Sequence, residues 1–153
     1  MRETFVALFF GALFLSACGD APPPVEPETK GLETKVLTAE TVNSSEEDWG
    51  TFAEYFAGET QGLSNLLSGT ATIKPGMQIH PPHRHAEEEF LMVLEGEGEW
   101  TVGDKTFKAT KGDMLYAAAW DLHGIENTGE APLSFVFWKA HPKGMPLPAD
   151  PDQ

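Results

Sequence analysis

From residue 63 onward, apolar and polar positions fall into short runs separated by turn residues. Residues 63–73 make the first run, and Lys74-Pro75-Gly76 ends it. Residues 89–94 form a second run, closed by Gly96, and residues 99–102 a third, closed by Gly103-Asp104, a hairpin turn signal. Residues 106–109, 114–117, 123–127 and 133–139 follow, parted by Lys111-Gly112-Asp113 and Thr128-Gly129-Glu130. Many short strands at ~8–12 residue spacing with turn signals between them predict an all-β sandwich or barrel. Phe90, Met92 and Leu94 alternate with Leu91 and Val93, so that strand is apolar on both faces. A half-solvated sheet does not need this, which points to a second layer or a dimer interface.

Residues 31–62 carry a weaker pattern. Val36-Leu37 and Val42 suit a short strand. Ser45-Glu46-Glu47-Asp48 could cap one helical turn ahead of Trp49. Phe52, Tyr55 and Phe56 have the i, i+3, i+4 spacing of a short amphipathic helix, while an extended arm laying its aromatics on the barrel fits equally well. Residues 20–30 are rich in Pro and charge and read as a semi-rigid spacer. Residues 143–153 read as a Pro-rich tail, loose or draped over the surface.

Composition narrows the class. The formal net charge is −14 with no basic cluster, which argues against a nucleic-acid partner. The single cysteine, Cys18, excludes an intramolecular disulfide. It follows an uncharged apolar run over residues 4–17, too short for the ~20 residues of a membrane span but suited to a secretory signal. Leu15-Ser16-Ala17-Cys18 resembles the lipobox of bacterial lipoproteins, in which the signal is cut before a lipidated cysteine. Residues 1–17 are then a signal peptide, and residues 18–61 the lipidated Cys18, the spacer and an N-terminal arm. The resemblance implies a membrane anchor at Cys18 and a domain facing the periplasm or cell exterior of a bacterial envelope. An ordinary signal peptide and an uncleaved anchor are the alternatives.

Candidate chemistry lies in His83-Arg84-His85-Ala86-Glu87-Glu88-Glu89. On an extended chain side chains alternate, so His83, His85, Glu87 and Glu89 share one face and Glu88 takes the other. Imidazole suits Fe, Ni, Cu and Zn, and two histidines with a carboxylate form a facial set with open positions. His123, on a later strand, can close the site. Three neutral histidines and one carboxylate leave a divalent ion near +1, with open positions for water, substrate or O₂. Glu87 is the single candidate acid/base group, and equally a solvated charge or a partner behind a ligand. His80 reads as a rim residue and His141 as non-ligating. Asn127 reads as structural, Glu95, Glu97 and Glu99 as a solvated edge, and Trp120 as a pocket border.

These residues resemble the cupin family. Its first motif is matched by Gly76, His83, His85, Glu89 and Gly96, and its second by Gly112, His123 and Asn127. Ala118 and Trp120 stand where that family has Pro and Gly, which puts the turn before His123 in question. The resemblance covers about residues 62–139 and implies a small double-stranded β-helix (jelly-roll) barrel over residues 62–142. It further implies one divalent transition metal (Fe, Mn, Ni, Zn or Cu) held by His83, His85, Glu89 and His123, and a small-molecule ligand or substrate. Cupins often pair sheet to sheet, so a homodimer is also expected. Both metal-dependent enzymes and non-catalytic binding modules occur in the family.

Overall fold

The structure is a computed structural model and describes residues 31–152. Every regular element among them is a strand. In chain order these are β1 (Asn43–Glu47), β2 (Gly50–Gly58), β3 (Leu63–Ile73), β4 (Glu88–Glu95), β5 (Glu97–Val102), β6 (Lys105–Thr110), β7 (Met114–Ala117), β8 (His123–Glu126) and β9 (Leu133–Pro142). A six-stranded sheet runs β1-β2-β3-β9-β4-β7 and a three-stranded sheet runs β6-β5-β8, with all pairs antiparallel. The fold is an all-β jelly roll, as the alternation predicts.

The two sheets face each other over one core. Ala71 and Ile73 of β3, Leu91 and Val93 of β4, and Leu133, Phe135 and Phe137 of β9 meet Trp100, Ala109 and Ile125 of the smaller sheet. The chain crosses between sheets at Gly96, where β4 gives way to β5. That residue has φ +83°, and a Cβ there would strike the Pro132 carbonyl oxygen, so only glycine fits. Asn127 is fully buried. Its amide donates to Ile73 O at 2.8 Å and Ala131 O at 2.9 Å, and its Oδ1 accepts from Gly129 N at 3.0 Å. It thereby ties the end of β3 to the turn that follows β8, the structural role expected of it.

Among the described residues before residue 62, Asn43–Glu47 and Gly50–Gly58 are extended strands, and residues 45–48 form no helical turn ahead of Trp49. β1 and β2 form a hairpin that widens the large sheet, with Gly50 opposite Ile73 and Phe52 opposite Ala71. A β-bulge between Glu54 and Phe56 inserts a residue into β2 and interrupts the period of two. That interruption is what gave Phe52, Tyr55 and Phe56 their helix-like spacing. Phe52 packs on Phe137, with ring centroids 5.6 Å apart.

The two apolar faces of β4 separate cleanly. Leu91 and Val93 point into the core, and Phe90 and Met92 lie on the outer face of the large sheet. There Phe90 stacks on Trp138 at 5.2 Å and meets Tyr116 at 4.9 Å, and Met114, Tyr116 and Trp138 remain exposed. The tail drapes over the surface: Trp120 Nε1 donates to Pro148 O at 2.8 Å, and Arg84 pairs with Asp152 at 2.6 Å.

Candidate metal centre

Four side chains converge at one mouth of the space between the sheets. Glu89 is the second residue of β4 in the large sheet, and His123 opens β8 in the small one. His83 and His85 sit in the segment leading into β4. His83 forms an isolated antiparallel bridge with His123, each amide donating to the other's carbonyl at 2.9 and 3.0 Å. The backbone therefore pins the two motifs together before any side chain acts. One ligand atom from each of His83, His85, Glu89 and His123 lies within 4.8 Å of the others, a cluster able to hold a metal ion. Glu88, of opposite parity, turns outward and accepts from Tyr116 Oη at 2.9 Å.

The donor set fits a divalent cation. His85 Nδ1 faces the Glu87 carbonyl at 2.9 Å and His123 Nδ1 faces the Asp121 carbonyl at 2.8 Å. A carbonyl only accepts, so both Nδ1 atoms carry the proton. In the neutral rings each Nε2 is then a lone pair, and both point at Glu89 Oε2, at 2.9 and 3.0 Å. Acceptors facing an anionic acceptor need a positive charge among them: a proton on a ring, or a metal ion in the middle. His83 Nδ1 is buried with no hydrogen-bond partner, an orphaned polar atom of the kind a cation-binding site accounts for.

The electrostatics agree. Burial, aided by repulsion from His80, His123 and His85, lowers the His83 pKa to about 4, so its ring is neutral and available as a ligand at physiological pH. Burial alone would raise the Glu89 pKa, but hydrogen bonds from His123 and His85 outweigh it and hold the carboxyl at about 2. Burial opposes the charge on His123 also, yet the hydrogen bond to Glu89 and the contact with Asp121 O raise its pKa.

The cluster opens onto a cavity of about 140 Å³. His83, Glu89 and His123 line one part of it, and Phe52, Phe135 and Phe137 contribute to its apolar walls. His80 is at the rim, its ring 4.1 Å from that of His83. His141 is buried away from the cluster, with Nε2 2.9 Å from Met145 O. Glu87 stands behind His85, its Oε2 3.6 Å from Nδ1 and its Oε1 accepting from Asn65 Nδ2 at 3.3 Å. It does not line the cavity.

Trp120, expected at the pocket border, is not among the cavity's lining residues. It turns outward to the tail instead. Its φ is +66°, so a tryptophan holds the left-handed conformation at the position where the motif has glycine. Its amide donates to His85 O at 2.8 Å, and its indole holds Pro148, so the turn before His123 keeps its form despite the departure. Lys139 is the lining residue that strand reading passed over. The signal was present: Leu133, Phe135, Phe137 and Lys139 share a parity, and the first three are core residues.

Known proteins supply a consistent picture. Residues 69–139 match the model of the cupin domain. Gentisate 1,2-dioxygenase of a Streptomyces species is 33% identical over 82 residues, which cover 49% of this chain and 23% of that enzyme. The chain spans less than a quarter of the length of the curated relatives it matches. Among solved structures, a Klebsiella pneumoniae protein with a double-stranded β-helix domain superposes with a TM-score of 0.58 at 20% identity, over 74% of this chain and 95% of that one. A sugar phosphate isomerase of the cupin superfamily from Silicibacter pomeroyi gives 0.60 at 20% identity, over 70% and 76%. Residues 69–139 thus match the cupin domain in sequence, the two facing sheets share the fold of solved cupin-superfamily structures, and the His/Glu cluster is able to bind a metal ion.

Proposed function

We propose that this chain is a metal-binding cupin lipoprotein whose barrel acts on a small organic substrate, in a dioxygenase, isomerase or decarboxylase type of reaction. The observation that carries this reading is the convergence of His83, His85, Glu89 and His123 beside an apolar cavity of about 140 Å³. A divalent metal there supplies Lewis-acid or redox chemistry. The chain's own residues do the rest. The carbonyls of Glu87 and Asp121 orient His85 and His123, Glu89 supplies the negative charge, and the phenylalanine walls exclude water. The resemblance to a dioxygenase supports the enzyme reading. Metal analysis of protein purified from its own host, followed by turnover assays on small carbonyl, phenolic and dicarboxylic compounds, tests it. Metal bound without turnover of any of them would sink the enzyme reading.

One observation favours the alternative, a non-catalytic binding or sensing module. The carboxylate Glu87 lies behind His85 and outside the cavity, which leaves no carboxylate but Glu89 among the cavity's described lining residues. Ligand-induced stabilisation without turnover identifies that case.

Anchoring and assembly belong to the same proposal. Cys18 lies outside the described residues; its lipobox context supports lipidation and a bacterial envelope location. Full-length protein is then expected with membranes and Cys18→Ser in the soluble fraction, since two or more acyl chains anchor stably at ~0.8 kcal/mol per buried CH₂. A membrane-bound Cys18→Ser would favour an uncleaved helix. The exposed Met114, Tyr116 and Trp138 on the outer sheet face support a homodimer. A monomer by light scattering at tens of micromolar would remove it.

A further inference from the structure

The inner face of β9 carries one residue that packing does not explain. Leu133, Phe135 and Phe137 are buried in the core, and Ser134, Val136 and Trp138 take the other face. Lys139 continues the inward series and lines the cavity, partly buried, directly opposite Glu89 in the β4–β9 register. Among the described residues its ammonium has no hydrogen bond and no carboxylate within 4.0 Å, Glu89 included. A cation on an apolar inner stripe loses hydration without a protein partner to replace it. Its neighbours in the chain show the alternative open to it: Lys143 pairs with Glu59 at 2.7 Å, on the surface.

We propose that Lys139 is the anion-recognition residue of the cavity, and that the ligand is a small organic carboxylate with a ring-sized apolar body. This rests on the metal reading above and gives its substrate a chemical class. The carboxylate lies between the Lys139 ammonium and the cluster, which with a divalent ion carries a net charge near +1. The apolar body lies against Phe52, Phe135 and Phe137. The volume suits this ligand: the cavity is about 140 Å³, and an apolar cavity of about 150 Å³ accepts benzene. Neutral sugars and polyols lose by the same argument, since their hydroxyls would meet phenylalanine walls and leave the ammonium unpaired.

The test is calorimetric titration of the full chain, loaded with redox-inert Zn²⁺, with benzoate and with its neutral analogue benzamide. Zn²⁺ stoichiometry is measured first in wild type, Lys139→Met and Lys139→Arg. Wild type is expected to bind benzoate at least 10-fold more tightly than benzamide. Lys139→Met should lose about 10-fold for benzoate and nothing for benzamide, while Lys139→Arg keeps the preference and all three chains take up Zn²⁺ equally. Equal binding of the two ligands by wild type, or undiminished benzoate binding by Lys139→Met, overturns the proposal and leaves the metal site standing. If no chain takes up Zn²⁺, the metal reading has failed instead. The metal-free titrations then decide this one: a benzoate preference that depends on Lys139 upholds it, and its absence overturns it.

Discussion

Replacing Glu89 by glutamine removes the negative charge at the centre of the cluster and leaves its size unchanged. In the metal-free protein the carboxylate is held by His85 and His123 at 2.9 and 3.0 Å. The depression of its pKa from 4.5 to about 2 corresponds to roughly 3 kcal/mol favouring the charged form. That contribution is present above pH 4.5 and is lost as pH falls through about 2. The raised pKa of His123 works in the opposite sense: its contribution is complete below 6.5 and is lost as pH rises through the higher folded value. Both are in place between pH 4.5 and 6.5. The new amide returns one hydrogen bond to a ring nitrogen, about 1 kcal/mol. Metal-free Glu89→Gln is therefore expected to lose about 2 kcal/mol at a pH near the middle of that window, and less once pH has risen through the raised pKa of His123. In urea this moves the midpoint by roughly 1 M for an m-value of about 2 kcal/mol/M. Denaturation of the full chain in the presence of a chelator measures it, with Zn²⁺ uptake as the second readout. A Glu89→Gln protein as stable as wild type in that window, or a penalty that does not shrink at higher pH, would refute the charge pairing. Undiminished Zn²⁺ uptake would refute its role as a ligand.

His85→Ala should cut metal occupancy strongly while the fold survives, as read by metal analysis alongside circular dichroism. Metal affinity should fall as pH is lowered, because protons compete at His123, whose pKa is raised, whereas His83 stays neutral down to about 4; an affinity flat across pH ~5–8 would remove His123 from the ligand set. Asn127→Ala leaves Ile73 O, Ala131 O and Gly129 N without their partner and should cost about 3–4 kcal/mol by thermal or urea unfolding. Trp120→Gly relieves about 1–2 kcal/mol of left-handed strain and gives back about 1 kcal/mol with the bond to Pro148 O. Its melting temperature should hardly move while proteases cut the released tail faster, and equal cleavage rates would show that the indole does not hold it.

The strands of the barrel and the candidate ligands between residues 83 and 89 were legible in the chain because both depend on local periodicity. Residues 63–73 and 114–117 emerge as β3 and β7 with the boundaries that turn residues set, and the other strands of the barrel differ by one to three residues at their ends. The shared parity of His83, His85 and Glu89, opposed to Glu88, needs only the alternation of an extended chain. Neighbours across sheets are another matter. That β9 lies between β3 and β4, putting Lys139 opposite Glu89, depends on pairing between segments far apart in the chain. No local pattern encodes that. The same holds for Glu87, whose parity points inward but which enters β4 from a loop and ends behind His85. Residues 43–58 read ambiguously because a bulge erased the period of two that marks a strand, and only hydrogen bonding to β3 decides that they belong to the large sheet. Trp120 stood out in the sequence as a departure at a glycine position. Its left-handed backbone and its turn away from the cavity are imposed by partners at both ends, His85 O and Pro148 O, which only the folded chain brings within reach.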